Sequence, residues 1–211
     1  MDSLKILLSL ITLYSAVGFA KTECYGPKDK AKAYVVYLHG FEDVTALSGE
    51  EDGNRALLQR LASEMNLSIA LPLGPVCPSK GKRCWPAKNE AEVLATFALI
   101  AAARTTCFDN KDYTLVGFSN GGYYAFKLYK AHKDAHLKRI IASSSSGLWN
   151  PGKDKVNPLS EFHLMIGDKD ITRKTAELFM QEFKKAAPAS TLSVFAGGHR
   201  MDYATLKKLI F

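Results

Sequence analysis

Apolar and polar residues alternate along this chain with two periods that exchange places every ten to twenty residues. Ala33 to Leu38 (AYVVYL) is an unbroken β-branched and aromatic run, which predicts a strand buried on both faces. Asn54 to Met65 instead carries Leu57, Leu58, Leu61, Ala62 and Met65 at helical spacing, and Ser68 to Leu73 (SIALPL) returns to strand character, so the three form one βαβ unit. Between the first strand and that helix, Glu42 to Gly53 reads as an acidic loop, and Gly74 to Pro86, rich in Gly, Pro, Lys and Cys, reads as a second loop. Asn89 caps a helix running to Thr105, with Glu90 and Glu92 in its first turn. The pattern then predicts a strand at Tyr113 to Phe118, a helix at Asn120 to Ala131, and strands at Leu137 to Ser143 and Phe162 to Ile166. A helix from Thr172 to Ala187 is stopped by Pro188, Thr191 to Ala196 is a last strand, and Tyr203 to Ile210 closes the chain helically.

Strands that alternate with helices must pair in parallel, because a crossover helix is what returns the chain to the same end of the sheet. The expected architecture is α/β: a three-layer sandwich with a mostly parallel sheet of about six strands. No linker or internal repeat interrupts residues 21–211, which read as one domain. Residues 1–20 differ: Lys5 leads into the apolar run Ile6 to Phe19, and small Gly18 and Ala20 stand at the spacing of an export signal, which predicts cleavage after Ala20. The run is too short for a bilayer-spanning helix, so no stable membrane insertion is expected after cleavage. A secreted or periplasmic protein follows.

Composition adds limits. At 211 residues, 47% hydrophobic and 23% charged, disordered and fibrous classes are excluded. The net charge of +7 comes from scattered lysines without a nucleic-acid-binding motif, so no nucleic-acid partner is expected, and the charge reads as a solvated surface.

The chemistry begins at Gly117-Phe118-Ser119-Asn120-Gly121, a G-x-S-x-G match lying between an apolar strand and a helix. That is the strand–turn–helix setting in which a serine is held on a sharp turn, its neighbouring glycines admitting the close backbone approach, at a helix N-terminus that favours developing negative charge. With YLHGF after the first strand, GFSNGG, GDKD and GGH, the chain from about Ala33 onward resembles the α/β-hydrolase superfamily. It is nearest to short lidless serine esterases of the phospholipase/carboxylesterase and secreted polyester-depolymerase or feruloyl-esterase-like groups.

The resemblance implies a catalytic Ser119, a base His199 after the last strand, and an acid after Phe162 to Ile166. There, Gly167-Asp168-Lys169-Asp170 offers two aspartates; the resemblance favours Asp170, with Asp168 as the alternative or as a turn-forming side chain. The oxyanion donors would be the backbone N–H groups of Asn120, just after the nucleophile, and of Phe41, in the loop after the first strand. His39 reads as structural, and His132 and His136 as surface residues. No metal and no organic cofactor is expected.

Four cysteines in an exported chain favour two disulfides. In a parallel sheet the Gly74 to Pro86 loop shares the active-site end, whereas Cys24 and Cys107 fall at the other. Disulfide reach then predicts Cys77–Cys84 and Cys24–Cys107. Trp85 and Trp149 both follow strand ends and are expected as substrate-binding walls. The reading is a small, open esterase, monomeric, acting on small-molecule or polymer-bound esters. A thioesterase, a peptidase or amidase with the same residues, and a non-catalytic binding protein on the same fold are the alternatives.

Overall fold

A computed structural model describes residues 22–45, 49–77, 81–86, 89–131 and 133–211. The strands are β1 (Thr22–Tyr25), β2 (Ala33–Leu38), β3 (Glu42–Asp43), β4 (Leu67–Pro72), β5 (Val76–Cys77), β6 (Lys82–Arg83), β7 (Tyr113–Phe118), β8 (Leu137–Ser143), β9 (Glu161–Gly167) and β10 (Thr191–Phe195). The helices are α1 (Gly49–Met65), α2 (Glu90–Cys107), α3 (Asn120–Ala131), α4 (Arg173–Ala186) and α5 (Tyr203–Ile210). Residues 1–20, where an export signal is expected, and His132 lie outside the described residues.

The central sheet runs β1-β4-β2-β7-β8-β9-β10. Its last six strands are parallel, as the alternating pattern predicts, and β1 adds a seventh, antiparallel to β4. The count of about six misses β1 because Thr22-Glu-Cys-Tyr25 has no apolar alternation. Two ties hold it instead: the Cys24–Cys107 disulfide and an Arg55 Nη1 hydrogen bond to Glu23 Oε2 of 2.9 Å.

Each face of the sheet is covered. On one side Ile100 and Ala103 of α2, Phe126 of α3 and Phe179 and Phe183 of α4 pack on inward residues of the strands. On the other, Leu58 and Leu61 of α1 meet Leu206 and Ile210 of α5 across Val35, Tyr37 and Val116. Strands covered twice are mostly apolar, and β4 and β7 are buried throughout; the buried hydroxyl of Ser68 in β4 donates to Cys107 O.

One expected loop is a helix. α1 starts at Gly49, not Asn54, so the acidic residues Glu50, Glu51 and Asp52 form its first turn, where the free N–H groups favour negative charge. The expected Gly74 to Pro86 loop also contains order: β5 and β6 form a hairpin that pairs with β3. The Cys77–Cys84 disulfide closes it.

The strand order reverses between β2 and β7: the chain passes from β2 outward to β4, then returns to β7 and proceeds the other way. The loops that follow β2 and β7 therefore diverge, leaving a crevice at their C-terminal ends, the place where open α/β sheets present their ligand sites.

Candidate active site

Ser119 stands at that crevice. Its φ of 50° is in the left-handed region, a strained conformation for a side-chain-bearing residue, and it is held there from both sides. Its N–H donates to Ser143 O at 2.9 Å, and its carbonyl accepts from Tyr123 N at 3.0 Å in the first turn of α3. The tightness of this turn explains two glycines. A Cβ on Gly121 would strike the Leu38 carbonyl of β2, and one on Gly117 would strike the Gly121 carbonyl.

Three side chains from three different loops converge here. His199 Nε2 lies 3.0 Å from Ser119 Oγ, and His199 Nδ1 lies 3.0 Å from Asp170 Oδ2. The Phe118 ring packs against the imidazole with centroids 5.1 Å apart. Asp170 Oδ1 accepts from both the N–H and the hydroxyl of Thr172 at 2.8 Å. Burial alone would push the Asp170 carboxyl up, but the Thr172 and Ser144 hydrogen bonds and neighbouring His199 outweigh it and hold it below the usual range.

Asp168 does something else. Its Oδ1 accepts from Gly197 N at 2.8 Å, and its carbonyl accepts from Arg173, so it latches the loop that carries His199 onto the end of β9. Of the two aspartates in Gly-Asp-Lys-Asp, the structure brings Asp170 to the histidine and turns Asp168 to the backbone. Behind both, Ser144 adopts φ 48° at the end of β8, and its hydroxyl reaches Arg200 O at 3.0 Å. The sequence carried no signal for Ser144 beyond its place in a serine run.

The loop after β2 lies against the serine: a Cβ on Gly40 would be 3.3 Å from Ser119 Cβ. Phe41 follows it and is exposed. This loop rests on buried polar groups. Gly40 N donates to Glu51 Oε1 at 2.6 Å, and Tyr37 OH donates to Glu51 Oε2 at 2.9 Å. Asn54 joins in, donating to Tyr37 OH and accepting from Met201 N, so α1 ties the Gly40 loop to the His199 loop. Burial raises the Glu51 carboxyl above its ordinary range, opposed by the Gly40 and Tyr37 hydrogen bonds.

His39 is structural in its contacts. Its Nε2 accepts from Gly74 N at 2.8 Å, which leaves Nδ1 protonated to donate to Gly40 O at 2.6 Å. Burial, with Arg55 and Arg83 nearby, lowers its pKa to about 4, so the ring is neutral.

The two tryptophans are not on the walls of the site. Trp85 is 2% exposed, buried beneath it. Its backbone N–H donates to Asn120 Oδ1 at 2.7 Å and its indole N–H to His39 O at 2.9 Å, so one residue grips both the Ser119 turn and the β2 loop. Trp149 packs against Phe183, in the last turn of α4, because the segment after β8 descends beside α3 and α4 toward the opposite end of the sheet. Lys130 of the last turn of α3 holds that segment through Leu148 O.

Both disulfides pair as expected, with Cα–Cα distances of 5.5 Å for Cys24–Cys107 and 5.8 Å for Cys77–Cys84. Among the described residues no group of three or more His, Cys, Asp or Glu side chains is arranged to hold a metal ion, and no helix is long and apolar enough to cross a membrane.

No family model and no curated protein matches the chain in sequence. Solved structures do match in fold. Esterase PE8 superposes with a TM-score of 0.65 at 22% identity, over 90% of this chain and 98% of that one. The Bacillus cereus carboxylesterase gives 0.63 at 18% identity over 93% and 94%, and Zea mays acyl-protein thioesterase 2 gives 0.63 at 19% over 90% and 96%. The chain has the α/β-hydrolase fold, and among the described residues no segment is large enough to form a lid domain.

Proposed function

We propose that the protein is a serine hydrolase that cleaves carboxylic esters through an acyl-enzyme. The observation that carries this reading is the continuous relay Asp170–His199–Ser119, with both hydrogen-bond distances at 3.0 Å, ending on a strained serine at the switch point of the sheet.

In the proposed reaction Ser119 Oγ attacks the ester carbonyl while His199 Nε2 takes its proton. Asp170, ionised, accepts from Nδ1–H and stabilises the imidazolium. The backbone N–H groups of Phe41 and Asn120 are the proposed oxyanion donors; the Gly40 contact with Ser119 and the position of Asn120 at the start of α3 support this. His199 then protonates the departing alcohol, and water repeats the sequence to release the acid. Neither step calls on a metal or an organic cofactor, and the chain acts as a monomer. A thioester would serve the same residues, and acyl-protein thioesterase activity is named for one fold neighbour.

The setting is extracytoplasmic: the proposed signal at residues 1–20 and two disulfides fit an oxidising compartment, secreted or periplasmic. A fluorophosphonate probe tests the reading. It should label wild type at Ser119 and leave Ser119→Ala unlabelled, with loss of nitrophenyl ester hydrolysis. A folded wild type that resists labelling, or equal labelling of the variant, refutes it.

A further inference from the structure

His199 is also a wall of a cavity that the proposed reaction does not yet use. The space measures about 470 Å³ and lies between the first turns of α1 and the loop from Gly198 to Met201. Such a volume falls in the range of small-ligand sites. Three of its walls are glycines, Gly49, Gly53 and Gly198, and a Cβ added to any of them would meet nothing within 4 Å. At these three positions a side chain would find open space, whereas Gly117 and Gly121 are glycines because there is no room.

Of the Asp170–His199–Ser119 relay, His199 is the member that lines this cavity. Behind it, Glu51 accepts from Gly40 N, and Glu50, Gly53 and Asn54 flank Glu51 on α1. His199 closes the other side. In ester cleavage the leaving alcohol is the part of the substrate that must stay beside the imidazole, because its oxygen receives the Nε2 proton as the carbonyl carbon–oxygen bond breaks.

We propose that this cavity is the subsite for the alcohol half of the ester, and that it selects an uncharged alcohol bearing further hydroxyl groups, the size of a glycerol or a sugar ring. The inference rests on the esterase reading. Leu57 and Met201 present apolar surface for the carbon face of such an alcohol, while Glu50 offers hydroxyl acceptors and Arg200 donors. Their opposite charges offset each other, which favours neither an anionic nor a cationic leaving group.

The test fills the cavity. In Gly53→Leu the new side chain enters open space, and leucine is the better helix former within α1. Gly49→Leu does the same one turn earlier and serves if the first variant fails to fold. For each purified protein, kcat/KM is measured on glycerol monoacetate, methyl acetate and methyl butyrate. The glycerol-to-methyl acetate ratio should fall by roughly tenfold or more, with the butyrate-to-acetate ratio within about twofold of wild type. An unchanged glycerol ratio in the filled variants overturns the subsite, and so does a falling butyrate ratio, which would assign the cavity to the acyl chain. A wild type that hydrolyses none of the three and resists the fluorophosphonate instead overturns the esterase reading itself.

Discussion

The indole N–H of Trp85 donates to the carbonyl of His39 at 2.9 Å, and the same residue's backbone N–H holds the Asn120 side chain at 2.7 Å. One buried residue thus couples the two segments whose backbone amides are the proposed oxyanion donors. Preorganised donors are worth most when they do not move as charge develops.

Trp85→Phe keeps most of the packing and removes the indole donor, leaving His39 O without that bond. An unsatisfied buried carbonyl costs about 1–3 kcal/mol, and a loosened β2 loop should lower kcat about tenfold, with KM within about twofold. Steady-state kinetics on a nitrophenyl ester decides it. An unaltered kcat in a folded variant would mean that the loop does not depend on this bond.

The two aspartates of Gly-Asp-Lys-Asp should separate sharply. In the proposed mechanism Asp170→Asn removes the charge that stabilises the imidazolium and should lower kcat by roughly 10⁴-fold. Asp168→Asn retains an oxygen to accept from Gly197 N, so kcat should stay within about threefold. If the larger loss fell on Asp168, Asp170 would not be the acid of the relay.

Buried His39 should make folding sensitive to mild acid. Its folded pKa is about 4, against an ordinary 6.5, so between those values the unfolded chain binds a proton that the native state excludes. This contribution is absent above about pH 6.5, destabilises the native state progressively as pH falls toward 4, and reaches on the order of 3 kcal/mol. Glu42 and Glu51, both raised by burial, act in the opposite direction. The readout is therefore a difference: denaturant unfolding of wild type and His39→Gln between pH 7 and 4.5 should give a shallower acid loss in the variant. Parallel curves would contradict a neutral, buried His39.

The disulfides should rank in opposite orders for stability and activity. Cys24–Cys107 spans 83 residues and Cys77–Cys84 spans 7, which in the chain-entropy account contribute about 4.5 and about 2.4 kcal/mol. Replacing the first pair by alanine should lower Tm by on the order of 10 °C, and the second by roughly half of that. Yet Cys84 adjoins Trp85, so loss of the shorter bridge should lower kcat more. Calorimetry and kinetics on the two double variants check both halves.

Much of this was legible along the chain because the signals were local. Ala33 to Leu38 and Tyr113 to Phe118 announced buried strands by composition, and the glycines around Ser119 marked a turn that only glycine allows. Cys77 with Cys84 and Cys24 with Cys107 could be paired from the ends of the sheet alone. The errors came where context overrides a local pattern. The acidic stretch at Glu50 reads as loop in isolation, yet buried contacts of Glu51 with Gly40 and Tyr37 complete a helix there.

Sequence by itself determined the α/β layering, the parallel pairing and the residue types able to form a nucleophilic site, since period, turn chemistry and motif spacing are properties of neighbours along the chain. Only the tertiary structure decided which aspartate meets His199, that Trp85 lies beneath the site while Trp149 descends to Phe183, and that Ser144 and Glu51 support the loops. Those outcomes depend on contacts between residues tens of positions apart, and on which way a backbone turns after each strand. Residue type alone does not encode that direction.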